Sequence, residues 1–180
     1  MNRKTFHLSL LSFAAVIMLA SLLTTPAAAD GNPSASGHGN RISLGELRTF
    51  SFTAVQQKDG TVIGEAEVFN RGFPVRVHQK IDCLKFVEGN KAIMSGPITQ
   101  SSDPGVAALG NIAVFGVEDN GEGVNAPTDR ITTVPDYAPE EGIDCNDFTF
   151  VDDTLRNVND LSVVVRPLGT ILAGNIQVKP

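Results

Sequence analysis

The chain has no tryptophan, a single tyrosine (Tyr137), two cysteines and three histidines. Each shortage closes a class of function. Tryptophan and tyrosine supply the large amphipathic contacts of many binding surfaces, so no aromatic platform for stacking sugars is evident. The ten phenylalanines do not replace them: Phe6 and Phe13 lie in an N-terminal leader, and most of the others fall on one side of alternating segments, as core residues do. A zinc site wants four ligands at close spacing, whereas the histidines beyond the leader are only His38 and His78. A Ser-His-acid enzyme would have to use His78, which sits in a strand pattern near Arg76, and no G-x-S-x-G turn exists to expose a serine. Walker and dinucleotide glycine patterns are also missing, the 17 glycines being placed at turns.

Basic charge is scarce as well. The chain carries 14 Lys and Arg against 20 Asp and Glu, a formal net charge of −6. Residues 1–29 contain Arg3 and Lys4 and no acid, so their removal moves the charge to −8. A surface of this sign does not neutralise phosphates, which argues against nucleic acid and anionic lipid headgroups as partners.

Residues 1–29 read as a secretory signal peptide. A charged start is followed by an apolar stretch from Phe6 to Leu23, then by Ala27-Ala28-Ala29 before Asp30, an A-x-A cleavage site. Cleavage is expected between Ala29 and Asp30, and no cysteine stands there to take a lipid. An uncleaved anchor is the alternative, but His7, Ser9 and Ser12 dilute the apolar stretch. No later segment approaches spanning length, so the mature chain is expected to be soluble and either secreted or held in the cell envelope.

Beyond the leader, residues 30–46 are rich in Gly, Ser and Asn ("DGNPSASGHGN") and read as a flexible N-terminal tail. Residues 47–180 carry a different pattern. In "RTFSFTAV" Phe50, Phe52 and Ala54 alternate with Thr49, Ser51 and Thr53, the period of a half-buried strand. "KDGT" then supplies a hairpin turn, and "VIGEAEVF" alternates again. In "FPVRVHQKIDCLKFV" Phe73, Val75, Val77, Ile81 and Cys83 share one parity while Leu84 and Phe86 take the other, so a bulge is expected near Cys83. "NIAVFGV" is apolar on both parities, as in a strand covered on both faces. No segment has a helical period. The expected fold is all-β, a single small sandwich or barrel of about eight mainly antiparallel strands.

The cysteines, Cys83 and Cys145, stand in the echoing phrases "KIDCLKF" and "GIDCNDF". In an oxidising compartment two thiols point to a disulfide rather than to a metal or catalytic site, and closing so long a loop is worth roughly 4 kcal/mol in the chain-entropy estimate. The bridge would pin the most unusual segment of the chain, the acidic loop of residues 136–153. Its carboxylates, Asp136, Glu140, Glu141, Asp144, Asp147, Asp152 and Asp153, could in principle ligate calcium. The D-x-[DN]-x-[DN]-G order is absent, and the reading preferred is a solvated acidic loop. Asp119, Glu122 and Asp129 in "VEDNGEGVNAPTDR" raise the same possibility, but Asn-Gly after an apolar strand reads first as a hairpin turn.

Four phrases, "RTFSFTAVQQKDGTVIGEAEV", "VRVHQKIDCLKFVEGNKAIMSG", "VEDNGEGVNAPTDRIT" and "GNIQVKP", carry a resemblance that covers most of residues 48–180. In this order they resemble a widespread group of small secreted bacterial all-β proteins. The recognisable elements are Cys83-Leu84, Gly89-Asn90-Lys91-Ala92, Asp119-Asn120-Gly121-Glu122-Gly123 with Asp129-Arg130, Cys145, and Gly174-Asn175-Ile176. The chain departs from the group at Ile81-Asp82 and Ser95-Gly96. The resemblance implies a signal peptide and a compact β domain, and brings no activity or site residue with it. The expected function is therefore a non-catalytic binding or structural module of the secreted or envelope compartment, with no catalytic, cofactor or metal residue assigned. A carboxylate-dependent, glycosidase-like hydrolase, possible with calcium in the acidic loop, is the alternative.

Overall fold

The computed structural model describes residues 31–150, 164–165 and 168–180. The expected signal peptide and its cleavage point at Ala29 and Asp30 lie outside these residues, as do Asp152 and Asp153 of the acidic loop.

The alternation of Phe50, Phe52 and Ala54 produces β2 (Glu46–Gln56), with those three side chains buried and Ser51 and Thr53 exposed. The "KDGT" turn follows, with Gly60 at φ 86° and the Asp59 carboxylate accepting from the backbone N–H and hydroxyl of Thr61. β3 (Val62–Asn70) then returns antiparallel in unbroken register, from Arg48 opposite Asn70 to Gln56 opposite Val62. β4 (Val75–Ile81) continues the meander.

The expected change of direction near Cys83 is present. Ile81 and Leu84 are both buried, so the chain switches faces at Asp82, where β4 ends and β5 (Cys83–Val87) begins. β6 (Lys91–Ser101) serves both: its first half pairs with β5 and its second half with β4, with a register shift at His78 and Gln79. Gly96 sits at this crossover, where any Cβ would collide with the Lys80 carbonyl. β7 (Ile112–Glu118) is buried from Ala113 to Val117, as its two-sided apolar sequence requires.

Residues 34–43, expected to be part of a flexible tail, instead form β1 (Ser34–Ser43), paired on one side with β2 and on the other with the last strand. The inward positions of β1 are Ala35, Gly37, Gly39, Arg41 and Ser43, small where the large rings of β2 lie over them. A Cβ on Gly37 would stand 2.8 Å from the Phe52 ring and 2.9 Å from Ile176. Glycine here makes room for packing, and the composition that suggests disorder is the complement of Phe50 and Phe52.

Five further strands of two residues each, β8 (Arg130–Ile131), β9 (Asp136–Tyr137), β10 (Thr149–Phe150), β11 (Val164–Val165) and β12 (Gly169–Thr170), precede β13 (Ala173–Lys179). The described residues thus hold thirteen strands rather than about eight. The main sheet is a curled antiparallel half-barrel with strand order β12-β8-β7-β6-β4-β3-β2-β1-β13, β5 and β9 being side pairings. β10 and β11 form a separate two-stranded parallel ladder.

Three apolar clusters result, the smallest being Ile98, Ala107 and Ala113. Inside the curl, Phe50, Phe52, Ile81, Met94, Phe115, Val117, Ile131 and Ile176 pack together, with Phe52 and Phe115 edge to face at 5.4 Å. Outside it, Ile93, Val114, Cys145 and Phe148 form a second cluster beneath the acidic loop. Full burial of side chains of this size is worth about 2 to 3 kcal/mol each.

Candidate functional site

Cys83 and Cys145 are joined, with S–S 2.04 Å and Cα atoms 5.7 Å apart. The bridge ties β5 to a 3-10 turn at Cys145–Asp147, and Cys145 lies wholly inside the outer core. Lys85 adds two donations across the same junction, to the carbonyls of Asn146 and Phe148 at 3.2 and 2.9 Å. Among the described residues, Cys83, Asp144 and Cys145 bring potential metal-ligating atoms within 4.8 Å of one another. Both sulfurs are consumed by the disulfide and offer no thiolate, so this trio does not assemble a metal site.

The carboxylates of the acidic loop shape its backbone. Asp144 accepts from the Asn146 N–H at 2.7 Å, and Asp147 accepts from the Asp144 N–H at 2.8 Å, a reciprocal cap on the 3-10 turn. Glu141 accepts from the Ala138 N–H at 2.9 Å, and Asp136 accepts from the Asn111 amide at 2.8 Å. The loop is thus folded on itself at 137–148, with Glu140, Glu141, Asp144 and Asp147 exposed, as expected of a solvated acidic loop.

Asp119, Asn120, Glu122 and Asp129 have a common task at the far edge of the curl. Among the described residues, no strand pairs with the outward edge of β13. Ile176 donates to Asp129 Oδ2 at 2.7 Å, and Val178 donates to Asp119 Oδ2 at 3.0 Å. The other oxygens hold the turn itself: Asp129 Oδ1 accepts from Asn120 N–H at 2.9 Å and Asp119 Oδ1 from Gly121 N–H at 2.8 Å. Glu122 accepts from the side chains of Asn175 and Gln177 at 2.9 and 3.0 Å. These two hydrogen bonds, Gln177 first and Asn175 second, hold its carboxyl below the ordinary glutamate range. Arg130 bonds Glu118 at 3.2 Å and the Leu168 carbonyl at 3.1 Å, and Asn90 and Asp119 exchange backbone and amide hydrogen bonds at 2.9 and 3.0 Å. The phrases "EGNKA", "EDNGEG", "DR" and "GNI" therefore meet in space as a clasp on the sheet edge.

His78 lies on the outer face of the sheet with Glu65, Glu67 and Lys80, in an open cleft of about 500 Å³. Its Nε2 is 3.2 Å from Glu67, which also takes a 2.6 Å bond from Arg76. No serine stands among its hydrogen-bond or ion-pair partners within the described residues.

A site that the sequence reading missed lies at the end of the curl formed by the β1–β2 hairpin. Arg41 of β1 and Arg48 of β2 are directly opposite in register, and both sit on the inward parity of their strands. Arg41 is 8% exposed; its Nη1 donates to the Ile131 carbonyl. Burial first, and the Arg48 charge second, lower its affinity for the proton. No acidic side chain pairs with either arginine among the described residues. Gly169 leaves room for the guanidinium, since a Cβ there would stand 2.7 Å from Arg41 Nη2.

Around this pair the hydrogen-bond inventory is incomplete. Arg41 Nε, Ser43 Oγ, Arg48 Nε and Thr133 Oγ1 are buried without a partner, and all four residues line one void of about 20 Å³. Arg48, Val68 and Val134 also line an adjoining cavity of about 130 Å³, walled by Val75, Val77, Ile98, Ala107 and Ala113. That cavity reaches the surface beside Phe73 and Val106, which are 50% and 54% exposed. The available signal was the period-two parity of Ala35, Gly37, Gly39, Arg41 and Ser43, which places an arginine on an inward face once the segment is known to be a strand. No family model, curated protein or solved structure matches this chain.

Proposed function

We propose that this chain is an exported, non-catalytic β domain that acts by binding. The observation that carries the reading is the occupation of its clustered carboxylates. Asp119, Glu122, Asp129, Asp136, Glu141, Asp144 and Asp147 each accept a hydrogen bond that caps a turn or fixes a strand edge. A two-carboxylate hydrolase needs one carboxyl held protonated and a second free to attack or to activate water. Glu65 and Glu67 share one side of β3, about 7 Å apart by strand geometry. Glu67 is bonded by Arg76 at 2.6 Å, however, and Glu65 is exposed, so neither carboxyl is enclosed in an apolar pocket such as a general acid occupies.

Export is supported by the leader pattern of residues 1–29 and by the disulfide, which persists in oxidising compartments. No helix among the described residues is long and apolar enough to cross a membrane. The acidic balance of the chain argues against nucleic acid as the partner.

Expression of the full chain in a bacterial host tests both halves of the reading. Mass spectrometry of the exported protein is expected to show Asp30 as the first residue and no free thiol. Chromogenic glycosides and esters are expected to show no turnover above buffer. Turnover that disappears in E65Q or E67Q would replace this reading with the hydrolase.

A further inference from the structure

We propose that the hairpin end of the curl binds a small organic monocarboxylate, its carboxylate between Arg41 and Arg48 and its apolar body in the adjoining cavity. The inference rests on the reading of the domain as a binding module and names the class of ligand it takes.

Charge makes the first argument. A guanidinium keeps its proton in a protein, so it cannot escape burial by becoming neutral. Burying such a charge is costly unless it is paired, and placing a second one opposite adds repulsion. Arg41 has one backbone carbonyl as partner, and Arg48 is its cross-strand neighbour. An anion between them supplies what the described residues do not.

The unpartnered atoms make the second argument, independent of charge. Four buried polar atoms without partners converge on one void, and all can donate: two guanidinium Nε–H groups and the hydroxyls of Ser43 and Thr133. Buried polar atoms nearly always have a partner, in the protein, in ordered water or in a bound guest, and four donors facing one void call for an acceptor there. A neutral amide or alcohol brings donors of its own, whereas a carboxylate brings only acceptors and can take a guanidinium in paired hydrogen bonds.

Size and surroundings select the rest of the molecule. The void of about 20 Å³ is close to the room of one water, so a planar carboxylate reaching in from the cavity fits better than a tetrahedral oxyanion. The adjoining cavity of about 130 Å³ approaches the size of an engineered cavity, about 150 Å³, that admits benzene. That holds a body of about six carbons and no long acyl chain. Asp136, bonded by Asn111, stands on the wall of this cavity and disfavours a second negative charge on the ligand. The exposed Phe73 and Val106 at the mouth offer an apolar entrance.

The test is calorimetric titration of the disulfide-bonded mature chain with hexanoate and with benzoate. Hexanol, benzyl alcohol and sulfate serve as comparisons at matched ionic strength. Saturable binding of a carboxylate at least about tenfold tighter than its alcohol is expected, given the strength of a charge-assisted pair. R48M, its fold checked by circular dichroism, is expected to remove that preference. A107L, which fills the cavity and leaves both arginines, is expected to weaken hexanoate by about tenfold, as the loss of one or two buried methylenes implies. The proposal is overturned if neither carboxylate binds, if the alcohols bind as well, if A107L binds hexanoate unchanged, or if sulfate binds in preference. In those cases a chain without turnover still stands as a binding module of another specificity. Turnover of the chromogenic substrates would instead remove the reading beneath the proposal, and the proposal with it.

Discussion

The carboxylate of Asp129 accepts the backbone N–H of Ile176 at 2.7 Å, a bond between residues 47 positions apart in sequence. It stands where a neighbouring strand would stand in a closed barrel. A free sheet edge is a template for another chain, and proteins cover it by several devices. Here two aspartates cover it, Asp129 and Asp119, and the turn that carries them is fixed by the same side chains.

Removing Asp129 is therefore expected to cost more than an ordinary surface change. The residue is 5% exposed and accepts two backbone N–H groups, at about 1.5 to 3 kcal/mol for a hydrogen bond to a charged group. D129A is expected to destabilise by about 3 kcal/mol in urea unfolding, with D119A losing less because Asp119 is half-buried. Equal, near-zero losses in both variants would contradict the clasp.

Glu122 gives the clasp a pH dependence whose sign follows from its bonds. Hydrogen bonds from Gln177 and Asn175 stabilise the ionised form and place the folded pKa below the ordinary value of 4.5. Its contribution to stability is thus fully present above pH 4.5 and fades as the pH falls through the lower, folded value. Asp59, held down by Thr61 in the turn after β2, contributes with the same sign. Stability profiles between pH 2 and 6 are expected to be flatter in E122Q and D59N than in the parent; unchanged profiles would contradict these assignments.

The disulfide is expected to stabilise by up to about 4 kcal/mol, because it closes a loop between cysteines 62 positions apart. Urea unfolding of the C83S/C145S double variant measures this. Millimolar calcium, by contrast, is expected to leave the thermal midpoint of the parent where a chelator leaves it, since a ligand bound only by the folded state must raise it. A calcium-dependent rise would return the acidic loop to consideration as a site.

Gly37 is expected to tolerate no side chain. A Cβ there meets the Phe52 ring at 2.8 Å and Ile176 at 2.9 Å, and overpacking of this kind costs about 1 to 3 kcal/mol. G37A measured by thermal unfolding checks it. A neutral result would mean that β1 does not lie against β2 in the register found.

What could be read from the string follows a physical division. Strands whose inward residues are large, such as β2 with Phe50 and Phe52, declare themselves by alternation, and β7 by its two-sided apolar run. The change of face near Cys83 was legible because Ile81 and Leu84 differ in parity. β1 was not, because its inward residues are alanine, two glycines, an arginine and a serine, which carry no strong hydrophobic signal. Two-residue strands such as β8 and β12 are too short to show any period. The carboxylates of "EDNGEG" and "DR" were visible as a cluster, but their partners are backbone N–H groups of a distant strand, which no spacing rule reports. The arginine pair was hidden for the same reason as β1, since its geometry exists only once that segment is a strand.

Amide hydrogen exchange at Ile176 and Val178 tests most directly the claim that these carboxylates close the sheet rather than perform chemistry. In the parent protein both amides are expected to be protected as strongly as the ladder amides of β1, and to exchange faster in D129A and D119A respectively. Exchange of Ile176 and Val178 in the parent at the rate of exposed loops, unaltered by either substitution, would contradict it.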